Sequence, residues 1–108
     1  MNKTIKKKWL AALRSDKFTQ GEGSLKRTQD GTVRHCCLGV LCEAMGVKWK
    51  KPVGSTGYYS YKGSVATLPQ KIMDEAKISL DTAHKLIEMN DEKKRSFKQI
   101  ASYIERYL

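Results

Sequence analysis

Residues 20–46 read QGEGSLKRTQDGTVRHCCLGVLCEAMG, and their reading decides the fold. Asp30-Gly31 separates LKRT from TVRH, two runs of strand-compatible residues. Asp-Gly between such runs signals a hairpin closed by a type I′ turn, because both central residues must take positive φ. Alternation along the second strand puts Thr32, Arg34 and Cys36 on one side and Val33 and His35 on the other. Lys26 and Arg34 are then expected near each other across the ladder. Past the strand, LGVLCEAM is apolar almost all the way round and stops at Gly46, the pattern of a buried helix with a glycine at its C-terminal end. Gly39 inside that helix is unfavourable by about 1 kcal/mol relative to Ala. Its expected role is to let another element, the first helix being the candidate, pack closely.

Upstream of the hairpin, residues 18–25 read as a strand interrupted at its glycines. Gly21 and Gly23 suit a positive φ or a close approach of backbone to a ligand, and equally a bulge or tight bend with no ligand. Residues 4–14 carry Ile5, Trp9, Ala12 and Leu13 on one helical face, and Lys3, Lys7 and Arg14 close together on another. Downstream, residues 47–68 alternate glycines with Trp49, Tyr58, Tyr59 and Tyr61, and YYSYKGSVATL suggests a second hairpin turning near Lys62-Gly63. A helix starts after Leu68-Pro69 and ends near Lys77, and Ser79 caps the next through about Met89, with Asn90-Asp91 as a turn or cap. Ser96 and Gln99 form a capping box for a last amphipathic helix lined by Phe97, Ile100, Ala101, Ile104 and Leu108. The expected architecture is α+β: one or two short antiparallel β-hairpins packed on about five helices in a single domain of 108 residues.

The chain carries a formal net charge of +10, and residues 1–54 hold 12 basic against 4 acidic residues while residues 55–108 hold 9 against 7. So biased a charge favours anionic partners: a nucleotide, nucleic acid or an acidic protein. No apolar run approaches the roughly 20 residues that span a membrane. Residues 1–13 lack the apolar centre of a secretion signal. Three cysteines, two of them adjacent, suit a reducing setting, and the expected location is the cytoplasm. A thiol nucleophile at Cys36 or Cys37, with His35 or His84 as base, lacks an identifiable orienting group. A zinc site from His35, Cys36, Cys37 and Cys42 lacks the paired CxxC spacing of structural sites. The expectation is therefore no metal, no cofactor and no catalytic residue, with the cysteines as packing.

Trp9-Leu10, residues 12–15 (ALRS), Gln20-Gly21, Gly23, Leu25, residues 36–42 (CCLGVLC), Leu68-Pro69, Asn90-Asp91 and Ser96-Phe97 stand in a distinctive order. With them the chain resembles a group of small bacteriophage and prophage proteins with WLxALRS, QGxGxL and CCLGVLC motifs. The resemblance implies a phage or prophage origin and an α+β domain, and supplies no catalytic residues. In that context the expected activity is non-enzymatic: a counter-defence protein that sequesters an anionic nucleotide signal. Gln20 and the backbone at Gly21 and Gly23 would approach the ligand, Lys26 and Arg34 would neutralise phosphate, and Tyr58, Tyr59 or Tyr61 would stack on a base. The alternatives are nucleic-acid binding, through Lys3, Lys7 and Arg14 or the lysines at 48–51, and inhibition of a host enzyme by protein contact. A two-fold homodimer would complete such a pocket, although no heptad or exposed apolar strip marks its interface.

Overall fold

The computed structural model describes all 108 residues. In chain order the elements are α1 (Lys3–Arg14), β1 (Thr19–Gln20), β2 (Lys26–Gln29), β3 (Thr32–His35), α2 (Cys37–Ala44), α3 (Gln70–Ala76), α4 (Leu80–Asp91) and α5 (Phe97–Tyr107). Asp30 and Gly31 have φ of 51° and 77°, the positive pair a type I′ turn demands, and β2 and β3 pair antiparallel around them. The sheet is more than this hairpin. β1 lies parallel to β3 on its other side, so the order is β1-β3-β2 and the sheet is mixed, which corrects the expectation of purely antiparallel pairing. The pairing of β1 continues one residue further, where the Gly21 N–H donates to the His35 carbonyl at 2.8 Å. The chain then turns through Gly23, at φ 76°, to reach β2.

The second hairpin shrinks to its turn. Lys62 and Gly63 take φ of 51° and 77°, and Tyr61 and Ser64 exchange two backbone hydrogen bonds of 3.0 Å. Its arms pair elsewhere: Ser60 bridges to Lys50, and Tyr58 bridges to Arg27. The Thr28 N–H donates to the Gly57 carbonyl at 2.8 Å and the Tyr59 N–H to the Lys26 carbonyl at 3.1 Å, so this segment covers the outer edge of β2.

Every residue of α2 from Cys37 to Cys42 is buried, as an all-round apolar helix must be. A Cβ on Gly39 would stand 1.8 Å from the Leu25 carbonyl oxygen. The partner of that close approach is thus the backbone leading into β2, not α1 as expected. Helix α1 meets α2 through Trp9, whose Nε1–H donates to the Cys37 carbonyl at 2.9 Å. The capping box at Ser96 and Gln99 forms, and α5 lays its apolar face over α1. Asn90 and Asp91 are the last residues of α4 rather than a turn; Asn90 points inward and finds partners there, so the helix has no need to break. No helix is long and apolar enough to cross a membrane.

Candidate functional site

A two-residue turn at Asp30-Gly31 pairs Gln29 with Thr32 and, counting outward, Arg27 with Arg34 and Lys26 with His35. Because side chains alternate, Arg27 and Arg34 share the outer face of the sheet while Lys26 and His35 share the inner one. The expected neighbourhood of Lys26 and Arg34 is therefore corrected: they lie on opposite faces, and the cation opposite Arg34 is Arg27. The Arg27 guanidinium lies 4.4 Å from the centre of the Tyr58 ring, and its buried Nε has no hydrogen-bond partner. The Arg34 side chain runs against Gly21, where a Cβ would come within 2.7 Å of the Arg34 Cβ, and its Nη1 reaches the Gln20 carbonyl at 3.4 Å. None of the seven ion pairs in the structure involves either arginine. Both border a concavity of about 450 Å³ closed by Gln20, Gly21, Glu22, Gln29 and Asp30. Glu22 is itself paired with Lys94.

Beneath the sheet, Lys26 is consumed. Its Nζ is 3.3 Å from Glu43 Oε2, 4.5 Å from the Tyr59 ring centre and 5.5 Å from that of Trp49. The same carboxylate oxygen meets His35 Nε2 at 2.8 Å, and Oε1 accepts from the Trp49 Nε1–H at 3.0 Å. Burial holds the His35 pKa below its ordinary value against the pull of Glu43, with Lys26 adding to the depression. His35 Nδ1 is buried without a partner, which fits a neutral ring donating through Nε2. Burial opposes ionisation of Glu43, but the Trp49 and His35 hydrogen bonds and the Lys26 charge together leave its pKa below the usual carboxylate value.

Gln20, Gly21 and Gly23 belong to a polar clamp. The Gln20 amide donates to Asn90 Oδ1 at 2.9 Å and to the Arg95 carbonyl at 2.7 Å, and its oxygen accepts from the Phe97 N–H at 3.1 Å. Asn90, 1% exposed, donates to the Gly21 carbonyl and to Asp91 Oδ1, both at 2.8 Å, and accepts from the Cys37 N–H at 3.2 Å. The Gly23 N–H donates to Asp91 Oδ2 at 3.2 Å. Cys36, at the start of α2, offers no side-chain cap, so Asn90 supplies one from α4.

The whole chain, residues 1–108, matches the family model described as a domain of unknown function, DUF8296. The chain belongs to the DUF8296 family. No curated protein and no solved structure matches it significantly.

In this DUF8296 domain, QG, CC, ND and SF meet at one place, the Gln20–Asn90 clamp, which links four separate stretches of sequence. Of the eight residues expected at a ligand site, Gln20, Gly21 and Arg34 line the outer concavity and Tyr58 stands beside it on Arg27. Gly23 turns the chain away with its N–H occupied. Lys26 and Tyr59 face the inner cluster, and Tyr61 packs against the core. Glu22, Arg27, Gln29 and Asp30 complete the concavity and lie outside the expected set; counting the hairpin register outward from Asp30-Gly31 identifies Arg27 and Gln29. Burial pushes the Cys36 thiol up to about 11, Cys42 up to about 12 and Cys37 well above its ordinary value. Thiols so placed are packing groups and poor nucleophiles at neutral pH.

Proposed function

We propose that this DUF8296 domain is a non-enzymatic binding protein for an anionic, phosphate-bearing nucleotide. Arg27 and Arg34 hold the phosphate, and Tyr58 sits beside it to contact the base. The observation that carries the reading is that Arg27 and Arg34 are cross-strand partners on the outer face of the sheet and neither forms an ion pair. Like charges opposed across a ladder destabilise a sheet, and a bound phosphate converts that cost into two charge-assisted contacts. The unpartnered Arg27 Nε supports it, since a buried donor without an acceptor is costly until one is supplied. Gln20 and Gly21 act as the wall, fixed by the Asn90 clamp. In the phage setting that the motif resemblance implies, the role that follows is capture of a nucleotide signal made by a host immune system.

Calorimetric titration with cyclic dinucleotides and ADP-ribose-type nucleotides tests this. One saturable site is expected in the native protein, weakened at least tenfold by Arg34→Gln and by Arg27→Gln. Failure of every nucleotide in the panel to bind would sink the proposal.

A further inference from the structure

We infer that the groove between α1 and α5 is a second, separate surface that docks the phosphate backbone of duplex nucleic acid. Helix α1, KTIKKKWLAALR, carries five basic residues and no acidic one. Lys3, Lys6, Lys7 and Arg14 border one concavity of about 430 Å³ floored by Leu10 and Ala11. Its only acid is Glu105, and Arg14 already answers that carboxylate at 3.1 Å. Lys6 Nζ donates only to the Glu105 carbonyl, at 3.2 Å. Lys3 and Lys7 take part in no ion pair. Three cations in the first turns of a helix also oppose its dipole, so their placement works against the stability of α1 itself.

The chemistry of the groove selects its partner. A membrane surface needs an apolar helix face to insert, and that of α1 is spent in the core, with Trp9 at 0% and Leu13 at 2% exposure. Protein interfaces exclude lysine from their centres and use aromatic anchors, whereas this groove has lysines along its length and no aromatic ring in its lining. Single-stranded nucleic acid is held by base stacking on aromatics, which the groove also lacks. A regular row of phosphates is what remains. Lys3 and Arg14 stand roughly 16 Å apart along the helix axis at 1.5 Å per residue. That span covers about five steps of a duplex at 3.4 Å each.

Fluorescence anisotropy with a labelled, arbitrary 20-base-pair DNA, from 50 to 200 mM NaCl, tests the inference. Three lysines on phosphates give a log–log salt slope of about −3. Lys3→Gln with Lys7→Gln is expected to bring the slope near −1 and to weaken binding at 50 mM salt more than tenfold. Both side chains are exposed, so an unchanged circular dichroism spectrum verifies the fold. Arg27→Gln with Arg34→Gln should leave DNA binding as it was, which separates this surface from the nucleotide site. No binding at 50 mM salt, a slope indifferent to the lysine changes, or binding lost with the arginines instead would each overturn it.

Discussion

Replacing Asn90 by Ala removes the side chain that ties the end of α4 to the Gln20-Gly21 segment and to the start of α2. Four hydrogen bonds disappear: two accepted, from the Cys37 N–H and the Gln20 amide, and two donated, to the Gly21 carbonyl and Asp91. Cys37 is 0% exposed, so its N–H has no water to turn to, and an orphaned buried donor costs about 2 kcal/mol. Gln20 and Gly21 are half-buried and rehydrate in part, at about 1 kcal/mol each. Alanine returns about 0.5 kcal/mol of helix propensity. The expected loss is roughly 3 to 4 kcal/mol, a large share of the 5–15 kcal/mol typical of a domain. In urea, with a slope of about 1.5 to 2 kcal/mol/M, the midpoint should fall by about 2 M. Gln20→Ala should cost less, and the pair should be non-additive by at least about 0.5 kcal/mol, because the two side chains share a bond. A midpoint shift below about 0.5 M for Asn90→Ala, or strict additivity in the cycle, would refute the clamp.

Gly39→Ala forces a methyl to within 1.8 Å of the Leu25 carbonyl oxygen, backbone that cannot give way cheaply. A loss of about 3 kcal/mol or outright failure to fold is expected, read by thermal melting. Native protein at pH 8 should react with a thiol reagent such as Ellman's far more slowly than denatured protein, where all three cysteines are released. Acid should destabilise the fold in two steps. With the His35 pKa depressed below 6.5, the unfolded chain binds the proton first, so stability falls as pH drops below about 6.5. The Glu43 contribution is present above about 4.5 and is lost as pH falls through its depressed folded-state value. Urea midpoints between pH 7.5 and 3 should show both steps, and the difference between native protein and His35→Gln should isolate the first.

Much of the fold was legible because its signals are local. Asp30-Gly31 gives the hairpin, the apolar run to Gly46 gives the buried helix, and Ser96 with Gln99 gives the start of α5. What was not legible depends on contacts between distant segments. Nothing in Thr19-Gln20 says that two residues will pair parallel to β3, and nothing near Tyr58 says that it will bridge to Arg27. Gly39 announces a close approach but not that Leu25 makes it. Gln20 is polar, glycine-flanked and half-buried, which reads equally well as ligand contact or internal clamp; only its distance to Asn90, Arg95 and Phe97 decides. The arginine pair lies between these cases. Register outward from the turn places Arg27 opposite Arg34; setting Lys26 there is a slip of one residue, which turns the side chains of β2 to the wrong face while the alternation along β3 stands.

The measurement closest to the central claim follows the arginine Nε–Hε signals by nitrogen-15 NMR while a nucleoside diphosphate is titrated in. The chain has five arginines besides its lysines, at positions 14, 27, 34, 95 and 106. If Arg27 and Arg34 form the phosphate site, their two signals shift together and saturate, Arg27 Nε gaining the acceptor it lacks, while Arg14 and Arg106 stay in place. Signals that do not move, or five arginines drifting alike without saturation, would contradict it.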